Sequence, residues 1–137
     1  MQFALRTVRF CMNLPETWVT RRLGGQLIDS STSMAMNYRA AGRGRSHREF
    51  TAKLGVVLEE SDESLGWLEM IAQLELARGP EVVWLLGEAK ELTAIFGSSY
   101  HTAKEKDRQS RERRSDDRQS ADVNRRSPDR RSPDSAT

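Results

Sequence analysis

Five cations fall within fifteen residues: Arg39, Arg43, Arg45 and Arg48, with Lys53 one turn further on, against a single acid, Glu49. Guanidinium groups at this density suit phosphate, because each presents a planar fork of donors that matches phosphate oxygens. The segment also opens a predicted helix, whose first turn adds unpaired N–H groups and the positive end of a dipole. The chemistry expected here is salt-sensitive, sequence-tolerant contact with RNA or DNA. The competing reading is that these arginines pair with acidic faces of the same or an adjoining subunit, where each exposed pair contributes little. Asn37, just ahead of Arg39, lies inside a predicted helix, where an amide more often fixes packing than contacts a ligand.

Catalytic groupings are not found. The chain has no phosphate-loop lysine motif, no Cys or His cluster with metal-ligand spacing and no serine nucleophile context with a matching base. His47 and His101 stand far apart, and the run Glu59, Glu60, Asp62, Glu63 lacks the inward Glu-x-x-His pairs of di-metal bundles. That run reads as a charged helix face. Cys11 is one thiol on an apolar helix face, so no internal disulfide exists and the residue reads as a small hydrophobe. The expectation is a protein without enzymatic activity, cofactor or metal.

The elements that position the arginines are helices, because period-3.6 patterns dominate and no stretch alternates like a strand. A first helix is predicted over Gln2 to Asn13, with Ala4, Val8, Cys11 and Met12 on one side, and Pro15 ends it. The second runs from Glu16 to Ala41 on a stripe of Leu23, Leu27, Ser31, Met34, Tyr38 and Ala41. Gly24, Gly25, Ser30, Ser31, Ser33 and Ala35 make it rich in small residues, which permit a close neighbouring backbone. Gly42 and Gly44 mark a stop, and Ser46 with Glu49 forms a capping box for the third helix. Its stripe is Phe50, Leu54, Val57, Leu58, Ser61, Leu65, Leu68 and Ile71. After Gly79 and Pro80 the fourth carries Val82, Leu85, Leu86, Ala89, Leu92, Phe96 and Tyr100. Short connections make successive helices antiparallel, so the fold class expected is an all-α, antiparallel up-down four-helix bundle over residues 1–105.

A second stripe consists of Val56, Trp67, Met70 and Leu74 on the third helix, with Trp84 and Ile95 on the fourth. These either wrap the rim of a broad core or form an interface between copies of the chain, and tryptophan off the core face favours the interface.

Charge is segregated. Residues 1–58 hold nine Arg or Lys against three acids, 59–105 hold three against ten, and 106–137 hold ten against seven, behind a net charge of only +2. Either a polyanion meets the basic pole, or basic and acidic surfaces of neighbouring subunits meet each other. From Lys106 onward the only branched aliphatic residue is Val123 and no aromatic occurs, so residues 106–137 are expected to be a disordered basic tail. Its Arg-Arg-Ser repeats read as a solvated low-complexity extension or as a weak attractor of nucleic acid. No window approaches the apolar length of a membrane span, and Arg6 and Arg9 interrupt any signal-peptide core. A cytoplasmic location is expected.

The stretch from Gly25 to Leu68 combines a serine-rich turn with Asn37-Tyr38-Arg39-Ala40-Ala41, then Arg43, Arg45 and Ser46, Glu49-Phe50, Lys53-Leu54 and the run from Glu60 to Glu69. This pattern resembles the bacterial four-helix bundle family first noted in intervening sequences of large-subunit ribosomal RNA genes. That family includes the accessory variability determinant of diversity-generating retroelements. The resemblance extends more loosely over residues 1–105 and implies a homopentameric ring with a basic surface suited to nucleic acid. It also implies a second function class, an adaptor docking a partner enzyme such as a reverse transcriptase. Two departures bear on partner choice: an acidic residue common after the Asn in many relatives is replaced around Arg39 to Ala41, and the long tail is not a family feature.

Overall fold

Local capping sets where the helices begin. The structure, a computed structural model, describes residues 1–126. Thr17 is extended and accepts the Thr20 N–H at 3.1 Å, while Thr20 Oγ1 accepts the Thr17 N–H at 3.0 Å. This reciprocal cap starts the second helix at Trp18 rather than at the expected Glu16. The third helix opens on Ser46, whose hydroxyl accepts the Glu49 N–H at 3.1 Å. Glu49 returns its carboxylate to the N–H of Arg45, not of Ser46, at 3.0 Å. The four helices are α1 (Gln2–Met12), α2 (Trp18–Ala41), α3 (His47–Gln73) and α4 (Pro80–Arg126). Gly79 joins the last two at a φ of 107°, a backbone conformation that favours glycine, and Pro80 occupies the first helical position.

Paired contacts show that successive helices are antiparallel. Between α2 and α3, Ser30 meets Ser64, Ser33 meets Glu60 and Asn37 meets Lys53. Between α3 and α4, Ser61 meets Thr93 and His47 Nε2 donates to the Ala103 carbonyl at 3.1 Å. Gly24 of α2 lies against Cys11 of α1. The chain is therefore an all-α, up-down four-helix bundle, with Leu27, Leu54, Val57, Leu68, Ile71 and Leu85 at its centre.

Small residues set the spacing within it. Ser30, Ser31, Ser61 and Ser64 are buried, and their hydroxyls are satisfied by backbone carbonyls or by other hydroxyls. A side chain larger than serine at Ser30 or Ser64 would press α2 and α3 apart, and at Ser61 would press on Thr93 of α4. Gly55 plays a similar part between α3 and α4, since a Cβ there would lie 3.1 Å from the Tyr100 ring.

Two expectations are corrected. On α1 the buried residues are Phe3, Ala4 and Thr7, with Phe10 and Cys11 packed against the core, and Met12 faces outward. Two phenylalanines have more apolar area to bury than Val8 and Met12, so they set the rotation of the helix. The second correction concerns the expected disorder from Lys106: α4 continues as helix to Arg126, and the remaining residues, 127–137, lie outside the described ones. Low apolar content rules out a core, but it does not prevent local helix. Between Glu105 and Arg126 there is no Gly or Pro, and Arg108 reaches Glu105 and Glu112, three residues before it and four after. The chain divides into two compact units, Met1–Lys104 and a second beginning at Glu105. In the second unit the side chains from Arg108 to Arg125 are exposed.

Cys11 is half-buried, and loss of water around the thiol pushes its pKa up to about 11. Only the thiolate is alkylated, so at pH 8 the folded chain should react with iodoacetamide about a hundredfold more slowly than the unfolded chain. The rate profile should climb until about pH 11 when folded, and should level near the ordinary thiol value in urea.

Candidate nucleic-acid interface and assembly surfaces

The turn between α2 and α3 is tight. Gly42 keeps a helical conformation, and the N–H groups of Gly42, Arg43 and Gly44 return to the carbonyls of Tyr38, Ala40 and Ala41. Gly44 passes so near the start of α3 that a Cβ there would lie 3.3 Å from the Phe50 nitrogen. This compactness brings Arg39, in the last turn of α2, close along the chain to Arg43 and Arg45 in the turn and Arg48 in the first turn of α3. All four are exposed. Among the described residues none of their guanidinium groups is within 4 Å of a carboxylate; the Glu49 carboxylate, the nearest acid along the chain, is held on the Arg45 backbone N–H. Lys53 is half-buried and its Nζ is 3.5 Å from the Asn37 Oδ1. Asn37 in turn donates to the Ser33 carbonyl at 3.0 Å, a packing role, which leaves Lys53 at the margin of the cluster.

The first turn of α3 contributes less than its dipole suggests. Ser46 already accepts one of its N–H groups, and the Glu49 carboxylate stands beside the turn on the Arg45 N–H. Any anion bound here would rest on the guanidinium groups.

The expected second stripe is split by the structure. Val56, Met70, Leu74 and Ile95 are exposed. Trp67 and Trp84 are half-buried against the core, forming its rim. Trp84 is further covered by Arg6, whose guanidinium carbon is 3.4 Å from the ring centre. Arg6 also holds Glu81 through two hydrogen bonds of 3.0 and 2.7 Å, which raises its pKa and lowers that of Glu81. The contact fastens α1 to α4 through stacking and a bidentate ion pair.

The exposed tryptophan is one the stripes omitted. Trp18, the first residue of α2, is 75% exposed, and Met12 at the end of α1 is 77% exposed. Leu5 and Met36 are also exposed. The signal was present in the pattern: Trp18 lies about half a helical turn away from the buried line through Leu27 and Met34.

Other chemistry is sparse. His47 is tied to the Ala103 carbonyl, and His101 is exposed. Among the described residues no three of His, Cys, Asp and Glu come together in a way that could hold a metal ion. A shallow cleft between the α1–α2 and α3–α4 turns is lined by Phe10, Leu14, Leu76 and Ala77, with Arg9 and Arg78 at its edge. Among the described residues no helix is long and apolar enough to cross a membrane.

No protein-family model and no curated protein sequence matches the chain. Among solved structures it is similar to the crystal structure of a protein of unknown function from the S23 ribosomal protein family of Bacteroides thetaiotaomicron. The two share 24% identity with a TM-score of 0.64, over 72% of this chain and 92% of that one, a likeness of fold alone.

Proposed function

We propose that the chain is a non-enzymatic, self-associating helical bundle that binds RNA or DNA through the α2–α3 corner, a member of the intervening-sequence bundle family it resembles. The observation that supports this most is the exposure of Arg39, Arg43, Arg45 and Arg48 around one short turn, with no ion pair to their guanidinium groups among the described residues. Cations held this way lose little hydration until a polyanion arrives, and contact with phosphates then releases counterions. A homo-oligomer, pentameric by resemblance, multiplies that corner around a ring and converts weak single contacts into avidity. A cytosolic setting suits both the nucleic acid and the free thiol of Cys11.

The test is affinity for labelled RNA and duplex DNA at several salt concentrations. The double variant Arg43→Ala/Arg45→Ala should weaken binding across sequences and flatten the dependence of log affinity on log salt by about 0.9 per lost duplex contact per engaged subunit. Both residues lie in the turn, so the bundle should keep its melting temperature. An unchanged slope with unchanged affinity would exclude the corner. It would leave in front the adaptor reading, in which the charged surface of the assembly docks a partner enzyme such as a reverse transcriptase.

A further inference from the structure

Residues 105–126 are helical although they have almost nothing to bury. From Glu105 to Arg126 there are seven arginines and one lysine against six acids, no aromatic residue, and one branched aliphatic, Val123, which is 67% exposed. The near-balanced count hides an arrangement around the axis. Arg111, Arg114, Arg118 and Arg125 follow at intervals of three, four and seven, which sets them within about 60° of one another on one line of the helix, about 21 Å long. Ala121 fills the missing step. Glu105, Glu112 and Asp116 lie on the opposite side, and Arg108 is drawn towards them by its ion pairs with Glu105 and Glu112. Asp107 and Asp122 share the arginine side and Asp117 flanks it, so the four arginines of the line outnumber the acids on it by two to one.

This helix starts from the end of the bundle that carries the arginine corner. Ala103 is buried, its carbonyl accepts the hydrogen bond of His47 in the first turn of α3, and α4 runs on without a break through Lys104 into Glu105. The composition decides what kind of partner the segment fits. A protein interface needs an apolar core and a membrane-bound helix an apolar face, yet between Glu105 and Asp122 the only apolar side chain is Ala121. Guanidinium groups without apolar neighbours suit phosphate. An α-helix with its side chains is about 10–12 Å across, which fits the B-form major groove, about 12 Å wide, whereas the major groove of duplex RNA is too deep and narrow to admit it.

We propose that residues 105–126 are a second nucleic-acid site, a helix whose line of Arg111, Arg114, Arg118 and Arg125 enters the major groove of duplex DNA and contacts the phosphates of its walls. The acids on the far side then face water. Such contacts position the helix without reading bases, so the site is sequence-tolerant. The segment is helical before it meets DNA, and little ordering entropy is lost on binding. The inference stands apart from the α2–α3 corner and does not require it. Where both sites bind, the covalent link through Lys104 makes the second contact intramolecular and raises its effective concentration.

Binding of the full chain to labelled duplex DNA, and to duplex RNA of the same sequence, over a range of salt tests this. Arg114→Ala/Arg118→Ala takes two charges from the line, and Lys106→Ala/Arg113→Ala takes two from elsewhere around the same helix as a charge-matched control. Alanine is the best helix former, so both should keep their helix content by circular dichroism; if the first does not, Arg114→Gln/Arg118→Gln replaces it. On duplex DNA the line variant should flatten the slope of log affinity against log salt by about 1.8 for each engaged subunit, two contacts at about 0.9 each. With one subunit engaged, the original chain then loses about twelvefold more affinity than the variant between about 50 and 200 mM salt. The control should show less than half that change, and duplex RNA should bind more weakly and respond less to the line variant. The proposal is overturned if the line variant and the control weaken binding alike, if the line variant leaves the slope unchanged, or if duplex RNA matches DNA in affinity and response. Arg43→Ala/Arg45→Ala keeps the two sites distinct: if it alone weakens binding the helix site falls, and if the line variant alone does so the helix site stands and the corner falls.

Discussion

Leu85→Ala should lower the free energy of unfolding by about 2–5 kcal/mol, whereas Val83→Ala, two residues earlier on the same helix, should change it by less than about 0.5 kcal/mol. Leu85 is 0% exposed within the central cluster and Val83 is 67% exposed. The difference is mainly one of burial, since both substitutions introduce the best helix former and the two side chains differ by one methylene. Removing the Leu85 side chain loses its transfer free energy and leaves a cavity that Leu27, Leu68 and their neighbours can only partly fill. In a bundle of about a hundred residues each kcal/mol moves the melting temperature by roughly 4–8 °C, so the two variants should separate clearly in a thermal scan. Urea unfolding at one fixed protein concentration gives the free energies, because association would otherwise add its own contribution. Equal losses would mean that α4 is rotated from this placement.

The same pair shows which part of the fold could be read from the sequence. Leu85 belongs to a period-3.6 stripe with Val82 and Ala89, and such stripes announce both helix and buried face without knowledge of the partner. Gly42, Gly44, Ser46, Gly79 and Pro80 likewise act through their own backbone chemistry, which is why two of the three turns are legible. The rotation of α1 is not, because Phe3 and Phe10 compete with Val8 and Met12 on a short helix, and the outcome depends on where Arg6 meets Glu81 and Trp84, 75 or more residues away. The helix beyond Lys106 escapes a reading by composition, which measures what a segment can bury. Pairs such as Arg108 with Glu105 and Glu112 stabilise helix with no burial at all.

The candidate sites divide along a similar line. The arginine corner is legible because a charged group near a turn is exposed almost whatever the helices do. What the sequence does not reveal is that Ser46 and Glu49 occupy the first turn of α3, shifting the burden of anion contact to the side chains. Tryptophan is the less reliable guide. Trp67 and Trp84 look external by angle, yet a ring is large enough to fold back over the edge of a four-helix core, and Arg6 covers one of them. Trp18, half a helical turn from the line through Leu27 and Met34, is external by the same angle and does stay exposed, so angle alone does not separate it from the two rings that fold back.

Ser64→Leu should cost about 1–3 kcal/mol or more and should loosen the α2–α3 pairing specifically. Ser64 is 0% exposed, its hydroxyl is 2.9 Å from that of Ser30 and donates to the Glu60 carbonyl at 2.8 Å, so both polar groups are satisfied within the seam. Leucine at this point enlarges a side chain where two helix backbones approach closely, and neither Ser30 nor the neighbouring Leu27 and Leu68 has solvent to retreat into. Ser64→Ala is the control that separates shape from hydrogen bonding. It leaves Ser30 its Leu27 carbonyl at 3.3 Å. The alanine variant should therefore cost only about 0.5–1.5 kcal/mol. Hydrogen exchange locates the effect: amides of α2 and α3 flanking Ser30 and Ser64 should lose protection in the leucine variant before those of α4 do. A leucine variant as stable as the alanine one would mean that the seam has room to spare, and the abundance of serine and glycine along α2 would then need a cause other than close approach.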